Sequence, residues 1–181
     1  LPARVLVQAG KENARIRKIC RLAEHKDIPV EKTGNLDKQC GSRAHQGAAA
    51  VADRLPIEPL RPETPLDDRV VMLDSIQDPH NFGAAMRVCE AFGFRHIIYH
   101  QGNSSGLTPA AIKVSTGAVF HLRLFLSNLN TAVKHMQRDG RALCVLETDT
   151  DTSIYDVELP KKFCVVIGSE GKGCGTTSSG R

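Results

Sequence analysis

Val70-Val71-Met72-Leu73 leading into Asp78-Pro79-His80-Asn81-Phe82-Gly83-Ala84-Ala85-Met86-Arg87 decides how this chain folds. The same pattern returns at Cys164-Val165-Val166-Ile167, which leads into Gly168-Ser169-Glu170-Gly171-Lys172-Gly173. Each is a short apolar, largely β-branched run that ends in a polar loop, the mark of a buried strand. In an open α/β sheet, ligands bind at the carboxyl ends of the strands. Both loops are therefore expected at one sheet edge, one bringing Asn81 and Arg87, the other Glu170 among glycines.

Working outward, strands and helices alternate, which predicts a mostly parallel sheet with crossover helices. Strand 70–73 is followed by a helix over about 81–92 closed by Gly93, then strand 96–99. A polar turn over 102–106 precedes a short helix near Pro109 to Lys113, and Ser115-Thr116-Gly117 breaks it before a strand from Phe120 to Leu126. Asn128 or Asn130 caps a helix through Asp139, and strands follow at 142–146 and 163–167. Upstream, residues 4–8 read as a strand, Asn13 as the cap of a helix carrying Ile16, Ile19, Cys20 and Ala23, and 28–30 as an extended piece. Asn35 starts a short helix, and 48–53 is a strand. These make a small α/β domain over 1–55. Prolines at 56, 59, 62 and 65 read as an extended linker over 56–66. The main domain spans 67–173, and the Gly/Ser/Thr-rich 174–181 reads as a disordered or foreign tail.

Composition narrows the function. The 181 residues are 41% hydrophobic and 24% charged, the balance of a soluble globular protein. No apolar run approaches the roughly 20 residues of a membrane span, so no membrane partner is expected. The six cysteines are scattered without a C-x-x-C pair, and the seven histidines lack ligand spacing, so no metal is expected. Cys89, Cys144 and Cys164 lie in apolar runs and suit a reducing compartment, the cytoplasm first and an organelle second. The net charge of +4 is modest, but Lys11, Arg15, Arg17, Lys18 and Arg21 crowd one helix, which is either a solvated face or an anion-binding one.

The helix after strand 70–73 is apolar nearly all round, so it is expected to be largely buried, with Arg87 a guanidinium in need of a carboxylate or phosphate. Asn81 serves as helix cap, as site residue, or as both. The loop 168–173 matches neither the phosphate-binding nor the dinucleotide-binding glycine pattern. His80 beside Pro79 reads as structural, and His45-Gln46-Gly47 either as a turn or as a contact with RNA.

Leu73 through Arg87 closely resembles the first motif of the SpoU (TrmH-type) RNA ribose 2′-O-methyltransferases, of the SPOUT superfamily. Val166 through Gly173 resembles their second motif, and Lys113-Val114-Ser115-Thr116-Gly117-Ala118 fits the segment between. Ala44-His45-Gln46-Gly47 is similar, more loosely, to the substrate-binding domain of the ribosomal-RNA guanosine members. The resemblance implies an α/β fold with a C-terminal trefoil knot, a homodimer, and S-adenosyl-L-methionine as cofactor. By motif, Arg87, Asn81 and Glu170 are the catalytic set, and Gly168, Leu146 and Gly173 contact the cofactor. Arg15, Lys18, Arg21, His45 and Gln46 are the RNA-binding candidates, for ribosomal RNA first and transfer RNA second. The family's third motif is not found after Gly173, and the helix expected before Leu1 is missing. The chain is therefore expected to be truncated at both ends with its knot incomplete. A catalytically inactive RNA-binding fragment or relative is the alternative.

Overall fold

The computed structural model describes residues 3–41, 43–52, 55–100, 102, 104–147 and 150–168. The chain divides into two compact units, Leu1–Leu55 and Pro56–Arg181. The tail over 174–181 lies outside the described residues.

In the first unit, β1 (Arg4–Gln8) is the middle of a three-stranded sheet, parallel to β2 (Val30–Thr33) and antiparallel to β3 (Ala48–Val51). Helix α1 (Ala14–His25) starts where Asn13 stops the preceding extended chain: its Oδ1 accepts the Ile16 N–H at 2.9 Å. Ile16 and Ala23 of α1 pack on Val5 and Val7. Helix α2 (Leu36–Cys40) follows Asn35 and ends at Gly41, which adopts the left-handed conformation.

The second unit is built on a six-stranded, wholly parallel sheet in the order β4-β7-β6-β5-β9-β8. The strands are β4 (Ile57–Pro59), β5 (Arg69–Leu73), β6 (His96–Tyr99), β7 (Arg123–Leu126), β8 (Ala142–Leu146) and β9 (Phe163–Ile167). Alternate residues of β5 feed two cores. Val71 and Leu73 meet α3 (Pro79–Ala91) through Phe82, Met86 and Cys89, whereas Val70 and Met72 meet α5 (Leu129–Arg138) through Ala132 and Met136. A sheet covered on both faces explains why its strands read as unbroken apolar runs. Phe82 also packs edge-on against Tyr99, centroids 5.1 Å apart. At the amino end of the sheet, the buried Arg141 guanidinium donates to the Asp67 carbonyl at 2.6 Å and to the Asp139 carboxylate at 2.6 Å, tying β5 to the turn after α5.

Three expectations change. The proline-rich stretch read as a linker holds β4, which pairs in parallel with β7 as the sheet's edge; an edge strand needs only one row of donors, so its proline is tolerated. Helix α3 starts two residues earlier than expected, because Asp78 caps it by accepting the His80 N–H at 2.8 Å and Pro79 takes the first turn. The expected strand 120–126 begins only at Arg123, since Ala118–His121 form a 3-10 turn after Gly117.

Gly83 is where α3 crosses α4 (Pro109–Val114). A Cβ there would stand 2.6 Å from the Ala111 carbonyl oxygen and 2.8 Å from the Val114 Cβ, backbone and branch atoms that cannot swing aside. Gly83→Ala is expected to lower stability by about 1–3 kcal/mol, read as a reduced denaturation midpoint at unchanged slope.

His96 is buried, its Nδ1 accepting the Asp67 N–H at 2.9 Å. Burial lowers its pKa from the ordinary 6.5, against the opposing pull of the Asp67 carboxylate. A depressed folded-state pKa contributes stability that is present above 6.5 and is lost as pH falls through the folded value. His96→Asn, which keeps an acceptor at the Nδ1 position, is expected to flatten the decline in stability below pH 6.5, measured by urea unfolding across pH.

Candidate active site

The last paired residues of five strands stand in one row, Leu126, Tyr99, Leu73, Ile167 and Leu146. The chain runs β5, β6, β7 toward one edge and lays β9 and β8 toward the other, so the order reverses between β5 and β9. A crevice at the carboxyl side of such a reversal is the usual ligand position in open α/β sheets. A cleft of about 430 Å³ lies there, lined by Leu73, Ser75, Ile76, Gln77, Asp78, Asn81, Ala84, Ala85, Ile167 and Gly168.

Its shape follows from local chemistry. Past the end of β5, the Asp74 N–H donates to the Ile167 carbonyl at 2.9 Å, extending the β5–β9 ladder to the edge of Gly168. The buried Asp74 carboxylate accepts the Ser75 hydroxyl at 3.0 Å, and Ser75 holds a φ of +59°. That left-handed residue is costly for a non-glycine and turns the chain sharply. The Ile76 carbonyl accepts the Ser105 N–H at 2.8 Å, bracing the loop from the far side. Ala84 and Ala85, with one methyl each, line the cleft without filling it. Burial pushes the neighbouring Tyr99 phenol above its ordinary value.

Asn81 and Gly168 are thus brought to one cleft. Capping falls to Asp78, so Asn81 sits in the first turn of α3 with its cap role taken over. Leu146 stands at the same sheet edge, in register with Ile167. Arg87 does not line the cleft. By helix geometry it stands roughly 9 Å along α3 from Asn81 and about 120° around it. It is also exposed, not buried as the apolar sequence implied, and it forms no ion pair with a described residue. Helix α3 buries one face only: Val88 and Phe92 are 52% and 72% exposed. Glu170 and Gly173 lie outside the described residues. Asp74, Ser75 and the alanine pair were not singled out from the sequence; the Asp-Ser step after an apolar strand was the available signal.

In the first unit, Arg15 donates to the Gln46 Oε1 at 2.7 Å, joining two of the RNA candidates on the surface. His45 is engaged otherwise. Its Nδ1 accepts the Gly47 N–H at 2.9 Å, which leaves Nε2 to donate to Asp37 Oδ1 at 2.6 Å. That hydrogen bond holds the Asp37 carboxyl below its ordinary range, with Arg43 and Lys11 adding to it. His45 is thereby a brace of the turn. Lys18 and Arg21 are exposed on α1.

Residues 68–178 match the model of the SpoU rRNA Methylase family, and residues 3–57 match that for RNA 2′-O ribose methyltransferase substrate binding. The chain is 34% identical over 181 aligned positions to the 23S rRNA (guanosine-2′-O-)-methyltransferase RlmB of Xylella fastidiosa, covering 93% of this chain and 72% of that one. Its fold matches the rRNA methyltransferase of Sinorhizobium meliloti with a TM-score of 0.73 at 16% identity, covering 95% of this chain and 65% of that one. It matches the SpoU methyltransferase AviRb of Streptomyces viridochromogenes, crystallised with AdoMet, with a TM-score of 0.71 at 17% identity, covering 96% and 68%. This chain thus spans about two thirds of the solved relatives' length. Among the described residues, no helix is long and apolar enough to cross a membrane.

Proposed function

This chain belongs to the SpoU rRNA methylase family, and from that premise we propose that it methylates the 2′-hydroxyl of a ribose in structured RNA, ribosomal RNA before transfer RNA, with S-adenosylmethionine as donor. The supporting observation is that Asn81 of the first motif and Gly168 of the second line one cleft at the sheet's point of reversal. The cleft suits the cofactor: about 430 Å³ lies within the range of small-molecule sites, and Leu73, Ile76, Ala84, Ala85 and Ile167 give it apolar walls. Gly168, lacking a side chain, lets a nucleoside lie against backbone. Gly168, Leu146 and Gly173 are the proposed cofactor contacts. When bound, S-adenosylmethionine supplies a methyl group made electrophilic by its sulfonium.

The chain's own residues then have to align and stabilise. The ribose oxygen must lie in line with the methyl and sulfur, and that positioning is where most of the acceleration is available. Arg87 cannot serve as base, because a guanidinium stays protonated and only donates. Exposed and unpaired among the described residues, it is suited to grip an RNA phosphate beside the cleft with its two-pronged fork and to stabilise charge developing on the ribose oxygen. Asn81 orients the substrate from the first turn of α3, and Glu170 orients Arg87. In the first unit, Arg15, Lys18, Arg21 and Gln46 present the RNA-docking surface, with His45 holding the turn that carries Gln46.

The exposed apolar side of α3 supports a homodimer. Ala84, Ala85, Val88 and Phe92 follow helical spacing along one side, continuing outward from the cleft. An uncovered apolar strip of that kind fits a second copy of the chain. The described cysteines are free thiols, which suits a reducing compartment, for which we take the cytoplasm.

Transfer of labelled methyl to ribosomal RNA tests the activity directly. Arg87→Ala is expected to cost about 10²–10³ in kcat, with S-adenosylmethionine binding by calorimetry unchanged. Arg87→Lys at near-full turnover would rule out the forked grip. Phe92→Asp is expected to shift the chain from dimer to monomer in light scattering; an unchanged dimer would place the contact elsewhere.

A further inference from the structure

The basic residues of α1 do not form one patch. Arg15 turns toward Gln46. Arg17 and Arg21, one turn apart, instead line a groove of about 900 Å³ within the first unit, together with Lys11 before the helix and Lys32 on β2. Its floor is apolar, from Val7, Ile16, Cys20 and Val30, and Glu12 and Glu24 stand on its walls.

Some exposed basic residues elsewhere are paired, Arg4 with Glu31, Arg43 with Asp37, Arg95 with Glu90, Arg123 with Glu58 and Lys161 with Asp68, and others, Arg87 and Lys26 among them, form no ion pair with a described residue. Around this groove, none of Lys11, Arg17, Arg21 and Lys32 forms an ion pair with a described residue, although Glu12 and Glu24 share the lining. Like charges four residues apart on a helix, as at Arg17 and Arg21, oppose helix formation. Lys32 adds a further cation to the same lining from the neighbouring strand β2.

Resting on the RNA reading above, we propose that this groove takes a single-stranded segment of the RNA, continuing through Arg21 from the docking surface of Arg15, Lys18 and Gln46. Phosphates lie against Arg17 and Arg21 from α1 and Lys32 from β2. The apolar floor receives a base face. Glu12 and Glu24 accept hydrogen bonds from ribose 2′-hydroxyls or base amino groups, donors that a plain polyanion lacks. The mixture of cations, acceptors and apolar floor is what separates a nucleotide site from a phosphate site.

The test uses the full chain with a fluorescein-labelled single-stranded RNA 12-mer of mixed sequence, titrated at several salt concentrations. Arg17→Gln/Lys32→Gln is compared with Lys26→Gln/Lys38→Gln, which removes the same charge from the same unit outside the groove. Thermal melting checks that both variants are folded. The groove variant is expected to bind at least tenfold more weakly at 0.1 M salt, with a log–log salt slope shallower by about 1.4 for two released single-strand contacts. The control variant should match the unaltered chain. Equal losses in both variants would overturn the groove assignment and leave only net charge. So would inorganic polyphosphate or an oligoglutamate peptide competing as well as RNA of equal charge. No RNA binding by the unaltered chain would instead overturn the RNA reading itself.

Discussion

One hydrogen bond carries the site: the Asp74 N–H to the Ile167 carbonyl, 2.9 Å. It prolongs the β5–β9 ladder by a rung beyond the strands and so places the loop before α3 beside Gly168. The two motif loops are far apart in sequence, and the parallel β5–β9 pairing that this bond completes brings them to one cleft. The ladder is secure because β5 is the middle of the sheet, with β6 and β9 on either side and an apolar core on each face. A parallel strand of this kind has all its backbone groups paired and cannot slip without inverting both cores. The loop's freedom is then removed locally, by the Asp74–Ser75 side-chain bond and the left-handed turn at Ser75. Strain of that sort persists only where the surroundings over-determine it, as a ladder on one side and the Ser105–Ile76 bond on the other do here.

Much of the fold was legible because it is written in short-range chemistry. Asn13 caps α1 as its position indicates, and of the two candidates Asn128 and Asn130 it is Asn128 that caps α5, each cap accepting an N–H three residues on. Apolar runs of four or five residues became the strands of the parallel sheet, because burial on both faces leaves no alternation to confuse them. The misreadings have equally local causes. Prolines signal extension but not pairing, so β4 was hidden inside what looked like a connector. The start of α3 was set by Asp78-Pro79, a capping residue followed by a residue prefitted to the first turn, which outcompeted Asn81 three positions later.

The candidate site was less legible than the fold, for a reason that α3 makes plain. A helix that is apolar all round reads as buried, yet α3 buries Phe82, Gly83, Met86 and Cys89 and leaves Val88 and Phe92 in the open. Composition reports that a surface is apolar without saying whether the covering comes from the same chain. The pairing of motif loops, by contrast, could be anticipated, because strands that end in a polar loop in a parallel sheet all point their carboxyl ends the same way. His45 admits two readings from the sequence, a turn and an RNA contact, and its hydrogen bonds are those of the turn. As a polar residue beside Gln46 it resembled a ligand contact, but the Gly47 N–H and the Asp37 carboxylate take both of its ring nitrogens.

The exposure of Arg87 bears on chemistry as well as on folding. A buried guanidinium would have required a permanent carboxylate partner, and an arginine so neutralised has little attraction left for a phosphate. An exposed one pays little for staying solvated and keeps its fork available, at the cost of being imprecisely positioned until something binds it. Precision would then have to come from the substrate side: the RNA phosphate, held in place by the first unit, would order the guanidinium as it docks. Such an arrangement makes correct geometry at the ribose conditional on recognition elsewhere, so binding energy from remote nucleotides is spent on aligning the reacting oxygen. A small modular RNA-binding unit attached to a rigid parallel sheet is a physically sensible way to build that condition. In the proposed reading, the sheet contributes the fixed cleft and the cationic residues of the other unit select the RNA.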